Sequence, residues 1–233
     1  MDSYQLNPVG IIHSCFKEKF AIPRQASLAP AAQGYIELLP PYNHPDAVKG
    51  LELTSHLWLT FIFHQAGPKK DARLVKAPRL GGNQKLGVFA TRSTHRPNHL
   101  GLSLVKLERV TPQRLYLSSL DLLDGTPILD IKPYLPYADI AADAYNQFAP
   151  EAPATVTVEW SASAYQQAQQ HAKRLQQPLI ALIEQCLAQD PKPAYQQPTP
   201  ERRYGVQLYD LNVTWHYPQP TQICVLEVVP LTE

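Results

Sequence analysis

The chain has 233 residues, 44% hydrophobic and 18% charged, with a formal net charge of +1. That length buries a core without disulfide help, and no stretch approaches the roughly eighteen consecutive apolar residues of a membrane helix, which excludes a helical membrane protein. The start, MDSYQLNPVGIIHS, lacks a basic segment followed by an apolar one, so the expectation is a soluble, cytoplasmic protein.

Prolines number 23 against 10 glycines, and they recur through the N-terminal part of the chain. Such punctuation favours short strands and fixed loops over long helices. Strands are predicted over Val9–Ser14, His56–Phe63, Gly101–Glu108, Leu115–Leu120 and Pro127–Ile131, where β-branched or aromatic residues fill turn-bounded runs. Pro45–Gly50 supplies at most one helical turn. Many short strands with few helices between them imply a barrel or sandwich. Asp139–Ala154, small, polar and proline-bearing, reads as a linker. Beyond it Ser161–Gln176 and Pro178–Gln189 are rich in helix formers, with Pro178 placed to start the second helix. Asp190–Arg203 is a basic loop, and Tyr204–Tyr217 and Gln222–Val229 read as closing strands. The expected fold is a mainly β N-terminal domain over residues 1–148 and a small α+β C-terminal domain over residues 149–233.

Several chemistries are absent. There is no G-x-G-x-x-G, no G-x-x-x-x-G-K-[ST] and no G-x-S-x-G, so a Rossmann turn, a P-loop and a hydrolase elbow are missing. Cys15, Cys186 and Cys224 are scattered and odd in number, and no His-Glu-x-x-His occurs, so neither a disulfide framework nor a metal site is expected.

Four clusters remain. Pro23-Arg24-Gln25 presents a guanidinium fork and an amide from a proline-stiffened loop. His64-Gln65 ends an apolar strand, which also suits an edge histidine with no ligand. Pro78–Asn83 (PRLGGN) and the stretch from Phe89 to Gly101 carry Gly81-Gly82, Arg92, Arg96 and Asn98, a set able to meet an anion. This region belongs to a block from Ala72 to Leu107 with seven Lys or Arg and no acid, which is either a positive field for an anionic partner or a solvated face. Asp121, Asp124 and Asp130 surround an Asp-Gly turn, followed by Lys132.

Beyond residue type, PRQ at Pro23–Gln25, SHLW and FHQ within Ser55–Gln65, PRLGGN, GVFATRSTHRPNHLGLSLV and LDLLDGTPILDIKPYLPY closely resemble the TsaA-like (YaeB/TrmO) family. AQDPKPAYQ and YGVQLYDLNVTW resemble the C-terminal region of its bacterial full-length members, so the likeness spans essentially the whole chain. His95 and His99 depart from it, standing where the family often has an aromatic and a proline.

The resemblance implies an S-adenosylmethionine-dependent tRNA methyltransferase acting on the exocyclic nitrogen of N(6)-threonylcarbamoyladenosine at position 37, beside the anticodon. It also implies a methyl-donor β-barrel and a homodimer with the cofactor near the subunit contact. Carried over by position, the S-adenosyl-L-methionine pocket would comprise Pro23, Arg24, Gln25, His64, Gln65, Arg92, Leu102, Asp121, Leu122, Leu123 and Asp124. The catalytic base is left open among Asp130, His64 and Asp124. Contacts to tRNA are expected from Arg79, Lys85, Arg96, Lys132, Lys192, Tyr195, Arg202 and Arg203. Two other readings use the same residues: a non-enzymatic RNA-binding barrel, and a methyltransferase for a small molecule.

Overall fold

Alternation of buried and exposed residues along the strands decides the architecture. The structure, a computed structural model, describes residues 4–67, 73–76, 84–192 and 196–231. The N-terminal elements are β1 (Gly10–Ser14), β2 (Gly34–Leu38), α1 (Pro45–Val48), β3 (His56–Ile62), β4 (Leu74–Lys76), β5 (Lys85–Gly87), β6 (Leu100–Val110), β7 (Arg114–Ser118), β8 (Pro127–Pro133) and α2 (Pro136–Asp139). Six of these strands close an antiparallel barrel in the order β1-β2-β7-β6-β3-β8, while β4 and β5 form a separate ribbon. Leu57, Leu59 and Phe61 of β3 point into the barrel, with Trp58, Thr60 and Ile62 on its outer side.

The C-terminal elements are β9 (Thr157–Trp160), α3 (Ala162–Leu175), α4 (Leu179–Ala188), β10 (Tyr204–Leu208), β11 (Leu211–Gln219) and β12 (Gln222–Pro230). The sheet runs β10-β11-β12-β9, with β9 parallel to β12. Ser161 caps α3 by accepting from the Ala164 amide at 3.1 Å, and Pro178 precedes α4 as expected.

The mainly β fold with a small α+β region is thus the one expected. Four differences are local. The strands β2 and β9 escape the sequence reading because they are only five and four residues long. The ribbon β4–β5 forms inside the basic block. Tyr204–Tyr217 is not one strand but the hairpin β10–β11, turned at Tyr209 with φ of 55° in the left-handed region.

The two regions share one core. Phe16 bridges to Leu208, the Tyr209 amide donates to the Cys15 carbonyl at 2.8 Å, and the Ala31 amide donates to Gln185 Oε1 at 2.8 Å. The C-terminal region is therefore built against residues 15–31, the same segment that carries Pro23-Arg24-Gln25.

Gly101 sits opposite Phe61, and a Cβ there would lie 2.3 Å from the Phe61 ring. Gly101→Ala is expected to cost about 1–3 kcal/mol by overpacking, read as a lower urea midpoint at unchanged slope. An unchanged midpoint would mean that the β3–β6 contact yields freely.

Candidate active site

Asp121 lies just beyond β7, and its position is set by what surrounds it. Ser103, buried on the inward side of β6, and the backbone N–H of Ala26 lie near the carboxylate and favour its charged form. The Ala26 amide belongs to a short turn, Ala26–Leu28, that follows the Pro23-Arg24-Gln25 loop. Arg92 donates from Nη1 to Gln25 Oε1, and its charge acts on Asp121. Three segments distant in sequence thus converge: the 23–26 loop, the loop holding Arg92, and the Asp121 run.

Burial pushes Asp121 up to about 6, against the opposing pull of Ser103, its own amide, the Ala26 amide and Arg92. Its Oδ1 is buried with no hydrogen-bond partner. A buried carboxylate oxygen without a donor costs free energy, so this group is poised to take a donor from a ligand.

His64 and Gln65 join the same loop from the other side. Lys19 donates to the Gln65 carbonyl. Burial, aided by the Lys19 charge, lowers His64 below the usual histidine range, which keeps the imidazole neutral near pH 7. The Phe63 amide donates to the His99 carbonyl at 2.8 Å, tying this turn to the end of the Phe89–Gly101 stretch.

Other expected residues have different surroundings. Both oxygens of Asp124 are engaged, Oδ1 by the Ser14 amide at 2.9 Å and Oδ2 by Lys17 Nζ at 2.7 Å. Asp124 is therefore a brace between β1 and the turn at Gly125, not an available base. Leu122 and Leu123 are buried in the core, and the Leu122 carbonyl accepts from Ser14 Oγ at 2.7 Å. Asp130 lies on the outer side of β8, exposed, with Lys132 Nζ at 3.6 Å. Leu102 is 61% exposed and shares that outer face, since Thr60 pairs with Leu102 on one side and Asp130 on the other. Strand alternation turns Leu102 away from the carboxylate near Ser103.

Among the expected tRNA contacts, Lys85, Lys132, Arg202 and Arg203 are exposed. Arg96 spends Nη1 on the Thr91 carbonyl at 2.8 Å, so it braces its own loop. Lys192 is only 11% exposed and pairs with Asp190, which binds it into the fold instead of presenting it to phosphate. Arg79, Tyr195 and Pro78–Asn83 lie outside the described residues. Sequence reasoning missed Ser103, Ala26 and Lys19; only the pairing register of β6 and the closure of the 19–26 loop give them roles.

A closed antiparallel barrel with no Rossmann turn, carrying a guanidinium, an amide and a partly starved carboxylate at one loop cluster, defines a barrel-type ligand-binding site. Comparison with known proteins gives its family. The model of the tRNA-methyltransferase O N-terminal domain matches residues 11–140, and that of the TrmO C-terminal domain matches residues 153–231. The chain belongs to the TrmO family. It is 60% identical over 97% of its length to a Pseudomonas aeruginosa protein, RcsF, that carries the name of an S-adenosylmethionine-dependent methyltransferase, covering 98% of that protein. It is 48% identical to the Escherichia coli tRNA (adenine(37)-N6)-methyltransferase, covering 92% of this chain and 94% of that one. The crystal structure of TrmO from Pseudomonas aeruginosa superposes with a TM-score of 0.86 at 54% identity, covering 98% of this chain and 99% of that one.

Because Asp121 binds its proton more tightly folded than unfolded, stability falls as pH rises from its ordinary value through about 6 and stays lower above. A shift of about two units corresponds to about 3 kcal/mol at most. Asp121→Asn is expected to gain on the wild type in urea midpoint between pH 4 and pH 8. A difference that stays flat over that range would show that burial of this carboxylate carries no such penalty.

Proposed function

We propose that this chain methylates the exocyclic N6 of N(6)-threonylcarbamoyladenosine at tRNA position 37, with S-adenosylmethionine as donor. The coarser statement holds with its family: the chain is an S-adenosylmethionine-dependent tRNA (adenine-37-N6)-methyltransferase. The threonylcarbamoyl group on the acceptor is our reading. It is supported by the cationic loop beside the cluster, where Lys19 and Arg24 are exposed within six positions of each other, as a carboxylate-bearing acceptor would require.

The residues present fit the donor. Asp121 Oδ1 lacks a partner and suits a cationic or N–H-bearing ligand, while Arg92 and Gln25 offer a fork and an amide for a carboxylate or a base edge. When bound, S-adenosylmethionine supplies an electrophilic methyl on a positive sulfur. What the chain supplies is alignment, worth up to ~7–11 kcal/mol for reactants held near attack geometry, and a place for a proton. The acceptor nitrogen, flanked by a purine and a carbonyl, is a weak nucleophile until that proton is shared. Asp121, mostly ionised above about pH 6, and neutral His64 are the groups of this cluster that can take it.

We place two copies together on the outer face of β3, β6 and β8. Leu102 is exposed there, and Phe89, Tyr137, Ile140 and Tyr145 leave further apolar surface uncovered. A second copy covering this face would bring Leu102 and Asp130 to a site that they do not reach within one chain. The region from residue 149 onward is read as assisting tRNA binding, with Arg202 and Arg203 as phosphate contacts beside Lys85 of the N-terminal region. We assign the activity to the cytoplasm; among the described residues no helix is long and apolar enough to cross a membrane.

The carrying observation is the Gln25–Arg92–Asp121 convergence, and titration calorimetry tests it. Arg92→Ala is expected to weaken S-adenosylmethionine binding at least about tenfold while leaving tRNA affinity within about twofold, the loss of one charge-assisted contact. Equal losses of both would remove the role given to Arg92. Methyl transfer to threonylcarbamoyl-tRNA is expected to rise with pH through about 6, because protonated Asp121 cannot accept a proton. Leu102→Asp is expected to convert a dimer to a monomer in light scattering; a monomeric wild type would dismiss the shared face.

A further inference from the structure

Between the 19–24 segment of the barrel and the end of α4 lies a cavity of about 190 Å³. Its walls include Lys19, Phe20, Ile22, Arg24, Gln189 and Pro191, and among the described residues no carboxylate lines it. Phe20 is fixed by stacking on Trp215, with ring centroids 6.0 Å apart and planes 8° from parallel. Gln189 is pinned as well: its Nε2 donates to the Leu28 carbonyl at 3.3 Å and to the Gln185 carbonyl at 3.0 Å. That orientation leaves Gln189 Oε1 buried with no donor.

The backbone on both walls is held in a costly conformation. Ala21 has φ of 60° and Asp190 φ of 51°, values that residues with a Cβ seldom adopt. Asp190 is kept there by the Tyr217 hydroxyl at 2.8 Å and by Lys192, which fixes the course of the chain through Gln189 and Pro191. Cations, one unmet acceptor and a stiff apolar wall together describe a small ligand group with an acid, a hydrogen-bond donor and a short aliphatic part. Arg24 borders this cavity, and the next residue, Gln25, accepts from Arg92 in the donor cluster, so one loop serves both.

We propose that this cavity receives the amino-acid arm of the modified adenine. The arm's carboxylate faces Arg24 and Lys19, its hydroxyl donates to Gln189 Oε1, and its methyl packs on Phe20 and Ile22. The assignment rests on the threonylcarbamoyl reading above and gives the C-terminal region a specificity-determining side chain. Gln189 touches the acceptor arm only, apart from the donor.

The test compares methyl transfer by the full-length protein to tRNA bearing either a threonylcarbamoyl or a glycylcarbamoyl adenine. The glycyl arm keeps the acid and lacks the hydroxyl and the methyl. The wild type is expected to prefer the threonyl arm at least about tenfold in kcat/KM, as a site built for a hydroxyl should. Gln189→Leu is expected to bring the two arms within about threefold of each other by slowing the threonyl substrate, with S-adenosylmethionine affinity unchanged. A wild-type preference below about threefold overturns the proposal and needs no variant to fold. A folded Gln189→Leu that keeps the preference, slows both arms equally or loses donor binding overturns it as well. Wild-type protein that methylates unmodified adenine and neither modified form would instead overturn the acceptor reading on which the proposal stands.

Discussion

The structure depends on a zipper at residues 14–18. On one side the Ser14 amide and hydroxyl bind Asp124 and the Leu122 carbonyl, and the Asp124 amide donates to the Phe16 carbonyl at 2.9 Å. On the other side the Cys15 carbonyl accepts from Tyr209, and Glu18 Oε1 accepts from the Gln207 amide at 2.8 Å. Buried backbone groups must be paired, so a chain leaving β1 here is held by barrel and C-terminal sheet at once. Everything that follows, through Arg24 to Ala26, inherits that placement.

The consequence for the site is a division of labour between two carboxylates three positions apart. Asp124 is satisfied by an amide and an ammonium and serves the zipper. Asp121, facing the inward side of β6, meets a hydroxyl and an amide but keeps one oxygen without a donor. The same side chain in two environments yields a satisfied brace and a carboxyl that holds its proton more tightly and keeps an unmet oxygen, because donor supply and burial set the behaviour of a carboxylate.

Much of the fold was legible. Proline spacing and β-branched runs located β1, β3, β6, β7 and β8, and helix-forming composition located α3 before Pro178 and α4 after it. The hairpin β10–β11 was not, since its turn at Tyr209-Asp210 uses none of the glycine or asparagine that usually marks one. The site was legible through wording more than through chemistry. Arg92 and Gln25, both named by the family resemblance, are brought into contact, yet nothing local distinguishes Asp124 from Asp121, whose partners come from residues more than a hundred positions away in the first case and from the 26 and 103 positions in the second. Lys192 looked like a free cation because its partners, Asp190 and the ring of Tyr217, meet it only through a left-handed backbone turn and a strand that follows later.

A near-neutral net charge is compatible with an RNA partner once the cations are sorted by what they hold. Lys17, Arg96, Arg174 and Lys192 are committed to Asp124, to loop carbonyls, to Asp210 and to Asp190. They stabilise the scaffold and add little outward field at the short range set by salt. Lys49, Lys76, Lys85, Lys173, Arg202 and Arg203 are among the cations that face solvent, so phosphate contacts can give tRNA binding a salt-dependent electrostatic share that carries no sequence information. Selectivity must then come from close contacts: Asp121 keeps an unmet buried oxygen in the Arg92 cluster, and Gln189 keeps another beside the cavity that Arg24 also lines.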